Sequence, residues 1–262
     1  AGLRTFDKYY PFPEEINRRL TGVLSDLHFS PTRSNKANLL KEGVEENKIY
    51  ITGNTVIDAL KTTIKKDYIF HNEKLQQVDF IDKRIITVEA HRRENLGLPL
   101  ENICTAVKTI VNKYEDTEVV YPVHLNPAVR EVVGRILGNH KKIYLIDPID
   151  VQDMHNLIDR SYMIMTDSGG LQEEAPSLGK PVLVLRNETE RPEAVKAGTV
   201  CLAGTDNDNI ISLALKLLES TDEYNRMAKA VNPYGDGNAS ERIVKALLYE
   251  FGISSEKPEE FK

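Results

Sequence analysis

The sequence contains no tryptophan and only two cysteines, and aromatic residues make up only 7% of its 262 residues. So few aromatics argue against a surface that stacks the bases of single-stranded nucleic acid. There is no lysine- or arginine-rich block and the formal net charge is −6, which argues against nucleic-acid binding in general. Cys104 and Cys201 lie in apolar runs, as buried thiols of a cytoplasmic protein do, and do not suggest a disulfide.

Long apolar runs are also absent. No stretch reaches the roughly 18 apolar residues of a membrane-spanning helix, and the first residues do not form a signal peptide. The spacings of a zinc site, a catalytic triad and a Walker loop are missing too. With 40% apolar and 28% charged residues, the composition predicts a soluble globular protein of one large or two small domains.

The most informative stretch is TDSGGLQEE at residues 166–174, between the apolar runs YMIM and VLVL. This order predicts a strand, a tight loop, a helix with Ser168 as N-cap, and a second strand. Gly169 and Gly170 would let a phosphate approach backbone N–H groups at the positive end of the helix dipole. Glu174, one turn later, could accept hydrogen bonds from a ribose diol. The alternative is an ordinary capped helix with acidic first turns.

Two histidines follow predicted strands. His91 lies in EAHRREN at residues 89–95, where an imidazole beside two guanidiniums suits acid–base chemistry next to a polyanion. The alternative is a solvated loop with internal ion pairs. His124 follows the next strand and could be a ligand contact or a buried, hydrogen-bonded histidine.

Two charged residues elsewhere are also candidates. Arg191 follows another strand, where it could meet a phosphate or a ribose, or form a surface pair with a neighbouring glutamate. Glu14 begins a predicted helix and could be a catalytic carboxylate or a surface residue favoured by the helix dipole.

Strand and helix patterns alternate along the whole chain. This alternation predicts an α/β fold with a doubly wound parallel sheet and ligands at the carboxyl ends of its strands. Residues 65–83 are polar and weakly patterned, and are a candidate boundary segment. An amphipathic helix is predicted from Ala239, followed by a charged tail that we expect to be frayed from Ser254.

Together these motifs resemble those of the non-hydrolysing UDP-N-acetylglucosamine 2-epimerases. The matching runs occur in the family order and cover nearly the whole chain. They are AGLRT at residues 1–5, PEEINR at 13–18, FSPT at 29–32, TGNTVIDAL at 52–60, HRREN at 91–95, YPVH at 121–124, residues 166–181, TERPE at 189–193 and NPYGDG at 232–237.

The resemblance implies a GT-B-like fold of two Rossmann-like domains. Residues 1–54 would be the C-terminal part of the N-terminal domain, residues 55–235 the UDP-binding domain, and residues 236–262 a helix crossing back to the N-terminal domain, with the tail. It also implies reversible conversion of UDP-N-acetylglucosamine to UDP-N-acetylmannosamine through UDP elimination and 2-acetamidoglucal, without metal or other cofactor. The expected protein is a cytoplasmic homodimer of cell-surface polysaccharide biosynthesis. A UDP-sugar-binding module and a GT-B glycosyltransferase are the alternatives.

Site residues are implied by position in the same way. The matches to catalytic residues are Glu14 and His91. The matches to UDP contacts are Met154 beside the uracil, Ser168, Gly169 and Gly170 at the diphosphate, Glu174 at the ribose, and Arg191. Many bacterial members bind a second, regulatory UDP-N-acetylglucosamine, and the matches to that site are Glu14, Arg92 and His124.

The sequence departs from the family at two places. The family has an upstream domain with a GTRPE loop and two further catalytic carboxylates, which do not occur here. We therefore expect this chain alone to turn over little or no substrate. Glu89 replaces what is usually a small or hydroxyl residue, and its carboxylate could either raise the basicity of His91 or compete with the diphosphate.

Overall fold

The computed structural model describes residues 1–9 and 11–262, which divide into two compact units. The first unit comprises Ala1–Lys61, Glu190–Glu193 and Asn232–Lys262, and the second comprises Thr62–Thr189 and Ala194–Val231. The domain limits at residues 54/55 and 235/236 stay a prediction. In the described part of the chain, no helix combines the length and apolar character needed to cross a bilayer.

Strands and helices alternate as predicted. The strands are β1 (His28–Ser30), β2 (Ile49–Ile51), β3 (Arg84–Glu89), β4 (Thr117–Pro122), β5 (Ile143–Ile146), β6 (Met163–Thr166), β7 (Val182–Val184) and β8 (Val200–Leu202). The helices are α1 (Glu14–Leu24), α2 (Arg33–Lys41), α3 (Thr55–Thr63), α4 (Leu98–Lys113), α5 (Pro127–Leu137), α6 (Val151–Arg160), α7 (Leu171–Ser177), α8 (Pro192–Ala197), α9 (Asn207–Glu219), α10 (Thr221–Ala228) and α11 (Ala239–Glu250).

A six-stranded parallel sheet forms the centre of the second unit. Its strand order is β5-β4-β3-β6-β7-β8, which is 3-2-1-4-5-6 when the strands are counted within this sheet. That is the order of a doubly wound nucleotide-binding fold, so the predicted sheet is confirmed. The order reverses between β3 and β6, and the carboxyl ends of these two strands open the crevice where such folds bind ligands.

Both faces of this sheet are covered, which explains its continuous apolar strands. Ile86 and Val88 belong to a buried cluster with residues of α4, α5 and α9. Ile85 belongs to a second buried cluster, which includes Tyr68 and Leu75. Residues 65–83 therefore pack on the sheet as part of the second unit. Their apolar residues follow neither a helical nor a strand period, so the sequence pattern did not show this role.

The first unit contains a parallel pair, β1 and β2, with His28 opposite Ile49. The C-terminal tail packs on the same unit, because the Phe261 N–H donates to the Ile51 carbonyl at 2.8 Å and Pro258 is buried. The guanidinium of Arg242 also lies over the Phe261 ring, 5.4 Å from its centroid. The prediction of a frayed tail was wrong because two apolar residues anchor an otherwise charged segment.

Gly53 is required where the segment at residues 232–237 meets the end of β2. The Asn54 N–H donates to the Tyr234 carbonyl at 2.7 Å. A Cβ at Gly53 would lie 3.3 Å from the Gly235 Cα and 3.4 Å from the Tyr234 oxygen, and φ of Gly53 is +82°. A side chain would therefore meet both backbone strain and a close backbone neighbour.

We expect Gly53→Ala to lower the free energy of unfolding more than Gly43→Ala does. Gly43 has a similar φ of +87° but no atom within 4 Å of a Cβ. Gly43→Ala should therefore cost only the left-handed strain of about 1–2 kcal/mol, and Gly53→Ala should cost more. Urea unfolding followed by circular dichroism measures both, and equal losses would contradict the close contact.

Candidate functional site

The crevice between β3 and β6 is lined by the two loops that the sequence analysis selected. Glu89, the last residue of β3, pairs with Thr166 at the end of β6. One loop continues through His91 to Asn95, and the other through Asp167 to Gly170. The strand order thus brings two distant motifs to one place.

Asp167 joins these loops. Its Oδ2 accepts hydrogen bonds from the N–H groups of His91 and Arg92, both at 2.9 Å, and from Asn95 Nδ2 at 2.8 Å. The same Asn95 amide donates to the Leu185 carbonyl at 3.0 Å. Burial raises the pKa of Asp167, while the Arg92 N–H and the nearby His91 act in the opposite direction. A buried carboxylate with several donors fixes the backbone of the His91 loop.

The His91 ring is paired with Glu89. Its Nδ1 lies 2.9 Å from Glu89 Oε1 and 3.9 Å from Asp167 Oδ1. The hydrogen bond to Glu89 raises the pKa of His91. Burial raises the pKa of Glu89, but hydrogen bonds from His91, Thr166 and Ser168 outweigh burial, and the pKa falls below its usual value. Of the two roles considered for Glu89, the geometry supports the one that increases the basicity of His91.

His124 and Arg92 adjoin this pair. The rings of His124 and His91 stack with centroids 4.9 Å apart and an interplanar angle of 10°. His124 is exposed and its Nδ1 accepts from the Asn126 N–H at 3.0 Å, so the alternative of a buried histidine was wrong. Arg92 is partly buried, and Asp167 holds its backbone as described above.

Ser168 does not cap a helix. Helix α7 begins at Leu171 with Gly170 at the N-cap and no side-chain cap, so the N-cap prediction was wrong. The Ser168 N–H donates to Thr166 Oγ1 at 2.9 Å, and its side chain lies close enough to Glu89 to help lower the pKa of that carboxyl. Among the described residues, no hydrogen-bond acceptor is found for the N–H groups of Gly169 and Gly170. Those two amides are therefore the donors that this loop offers to a ligand.

Glu174 lies beside these amides. A Cβ on Gly170 would be 3.4 Å from Glu174 Oε1, and Glu174 Oε2 is 3.6 Å from His155 Nε2. His155 is buried, with Nδ1 2.7 Å from Thr63 Oγ1. His155 could not be selected from the sequence because no motif surrounds it. Its neighbour Met154 is partly buried and packs against the cluster that contains Tyr68.

Glu14 and Arg191 belong to the first unit. Glu14 is the first residue of α1, while the adjacent Glu15 is buried and accepts from the N–H groups of Thr5 and Phe6 at 3.2 and 3.1 Å. Arg191 Nη1 donates to Glu190 Oε1 at 2.9 Å, and both residues are buried. The alternative of a surface Arg–Glu pair was therefore wrong, since this pair is shielded from solvent.

Two groups of described residues have the spacing of metal ligands. They are His71 with Asp150 and Asp153, and Glu89 with His91 and Asp167. Asp153 accepts from the Tyr68 hydroxyl and from two backbone N–H groups, and Asp167 accepts three donors as described above. Carboxylates so fully supplied with donors are typical of hydrogen-bonded clusters.

A doubly wound sheet with a histidine, carboxylates and glycine amides at its reversal point defines a Rossmann-like fold, the class of fold in which many nucleotide-binding proteins are found. The family model described as UDP-N-acetylglucosamine 2-epimerase matches residues 1–248. The chain belongs to this family, whose members are isomerases.

Known proteins resemble the chain over its whole length. It is 55% identical over 261 residues to the UDP-N-acetylglucosamine 2-epimerase of Bacillus subtilis, covering 100% of this chain and 68% of that protein. A Staphylococcus aureus MnaA structure with UDP gives a TM-score of 0.94 at 51% identity, covering 100% of this chain and 71% of the other. The structure of the Neisseria meningitidis epimerase bound to UDP-GlcNAc gives a TM-score of 0.88 at 48% identity, covering 95% of this chain and 68% of the other. These structures confirm the predicted GT-B-like fold class.

We expect Asp167→Ala to destabilise the protein by roughly 2–6 kcal/mol, because the N–H groups of His91 and Arg92 lose their acceptor, at about 1–3 kcal/mol each. Asp79→Ala is the matched control. The Asp79 carboxylate also accepts two backbone N–H groups, from Ile81 and Asp82, but in an exposed loop where water can replace it. Urea unfolding of both variants tests this expectation, and equal effects would contradict the role of Asp167 as a buried connection.

Proposed function

We propose that this chain takes part in the reversible interconversion of UDP-N-acetylglucosamine and UDP-N-acetylmannosamine. Membership of the family supports the proposal, as do the structures of the S. aureus relative with UDP and the N. meningitidis relative with UDP-GlcNAc. The observation that carries it is the pairing of His91 with Glu89 in the crevice that also presents the Gly169 and Gly170 amides.

The proposed chemistry breaks two bonds of the sugar. A base removes the C2 proton, the electrons of that C–H bond form the C1=C2 double bond, and UDP departs with the electron pair of the C1–O bond. UDP then adds back to the 2-acetamidoglucal while a proton reaches the opposite face of C2. Because the C2 proton is weakly acidic, acid and base groups must be held on both faces, and UDP must be retained for recapture.

The described residues suggest how these tasks are divided. We propose His91 and Glu14 as catalytic residues. The diphosphate would lie against the Gly169 and Gly170 amides beside Ser168, with Glu174 at the ribose. The further proposed UDP contacts are Met154 and Arg191, and the proposed regulatory residues are Glu14, Arg92 and His124. A homodimer and a cytoplasmic location remain predictions.

The reaction is best tested in a chimera, in which the 261 matched residues of the B. subtilis epimerase are exchanged for this chain. In D₂O we expect UDP-N-acetylglucosamine to be converted to a mixture with UDP-N-acetylmannosamine, and both sugars to acquire deuterium at C2. Proton NMR measures both changes. His91→Gln should lower kcat by about 10²-fold or more, as loss of an acid–base group does. His140→Gln, at a histidine that hydrogen-bonds Asn112, is the control and should leave kcat unchanged.

Three outcomes of the chimera experiment separate the candidate functions. Exchange and inversion at C2 would support the epimerase. A folded chimera that binds UDP but neither exchanges the C2 proton nor inverts C2 would contradict the epimerase proposal and leave a UDP-binding module. Transfer of the sugar to an acceptor without inversion at C2 would instead identify a glycosyltransferase.

We expect Ser168→Asp to weaken UDP binding to this chain by at least about fivefold. Two unit charges 4 Å apart repel by about 1 kcal/mol even in bulk water, and by more near a protein surface. The control is Ser212→Asp, the same change at an exposed position of α9. Isothermal titration calorimetry at low salt measures both affinities. Equal UDP binding by the two variants would remove the Ser168–Gly170 loop from the proposed site.

A further inference from the structure

Glu89 is fixed in one orientation by a directed series of hydrogen bonds. The Ser168 N–H donates to Thr166 Oγ1 at 2.9 Å, which occupies that hydroxyl as an acceptor. The single proton of Thr166 then points to Glu89 Oε2, also at 2.9 Å. The other carboxylate oxygen, Oε1, is left to face His91 Nδ1 at 2.9 Å. The carboxylate is thus oriented by the neighbouring strand, and its side chain is only 18% exposed.

His91 is fixed at both ends. Asp167 holds its backbone N–H, and the His124 ring stacks on its imidazole. The charged groups near the ring are Glu89, Asp167 and Arg92. The two carboxylates favour the protonated ring and Arg92 opposes it, with Glu89 exerting the largest effect.

We propose that Glu89 is a positioning residue for His91. Its carboxylate keeps the imidazole proton on Nδ1 of His91, so that Nε2 of His91 faces the bound nucleotide sugar. This inference rests on the proposed function, because it assigns Nε2 of His91 to the reacting groups. A carboxylate at Nδ1 selects the tautomer of a neutral imidazole and stabilises its protonated form. Glu89 thereby prepares His91 to present an N–H toward the diphosphate in the acid form and a lone pair in the neutral form.

A glutamate at position 89 places a negative charge against Nδ1 of His91. A hydroxyl or small residue there could not place a negative charge against Nδ1. With Glu89, the pair is zwitterionic between the pKa of Glu89, which is lowered, and the pKa of His91, which the hydrogen bond raises, so the zwitterion spans a wider pH range. Above the pKa of His91 the ring is neutral, with Nδ1–H still donated to Glu89. The same nitrogen therefore stays at the nucleotide in both states.

The inference can be tested by NMR on the ¹⁵N-labelled chain without any nucleotide. Long-range ¹H–¹⁵N spectra report the tautomer and titration of His91. We expect the neutral ring to carry its proton on Nδ1, and Glu89→Gln to move the His91 titration to lower pH. Glu89→Asp keeps the charge and should restore part of the shift. Glu118→Gln, a change of the same kind on β4, should leave the His91 titration where it is in the unmodified chain.

A second measurement uses the chimera. Glu89→Gln should move the pH dependence of kcat in the same direction as the His91 titration, which a purely structural effect on folding would not do. If Glu89→Gln does not fold, the unmodified chain still decides the matter. A neutral His91 with its proton on Nε2 would overturn the proposal. So would a His91 titration that is the same in the unmodified chain and in a folded Glu89→Gln variant.

The two proposals fail in different ways. If the chain does not bind UDP but Glu89→Gln still shifts the His91 titration, the proposed function is refuted, and with it the catalytic role of the His91–Glu89 pair. Normal UDP binding and C2 exchange in the chimera, with a His91 titration insensitive to Glu89→Gln, would refute the positioning role alone.

Discussion

The geometry of the site depends on one buried carboxylate. Asp167 follows β6, but its hydrogen bonds go to the loop after β3, where it holds the backbone of His91 and Arg92 and the side chain of Asn95. Placing a carboxylate in the interior is unfavourable unless donors replace its water. Here two backbone N–H groups and an amide do so, and the same bonds prevent the His91 loop from moving independently of the glycine loop.

This connection gives the strand order a chemical consequence. In a doubly wound sheet the crevice forms where the order reverses, between strands that are distant in sequence. In this chain those strands are β3 and β6. The loop after β3 carries the His91 imidazole, and the loop after β6 carries the Gly169 and Gly170 amides. Since β3 and β6 pair in register from Ile86 opposite Met163 to Glu89 opposite Thr166, small changes of strand register would separate these groups.

Much of this arrangement could be predicted because it follows from local patterns. The alternation of apolar strands and amphipathic helices fixes the fold class, and a loop after a parallel strand must lie at the ligand edge. What could not be predicted depends on side-chain partners. Ser168 has a typical capping sequence, yet its N–H donates to Thr166 Oγ1 and helix α7 begins only at Leu171. His155 has no motif, yet it lies against Glu174. Phe261 lies in a charged tail, yet its amide binds β2.

A bound diphosphate would share the crevice with three carboxylates. Each of them has a partner within the second unit. Asp167 accepts backbone and amide donors, Glu89 accepts from His91 and Thr166, and Glu174 lies 3.6 Å from His155 Nε2. Their negative charge is thereby directed toward groups of the protein, while the amides of Gly169 and Gly170 keep their hydrogen atoms for a ligand. If they were unpaired, these carboxylates would repel a diphosphate. Paired as they are, they orient the groups that we propose to receive it. Electrostatic preorganisation depends on where the hydrogen-bond donors point and not on the net charge of the site.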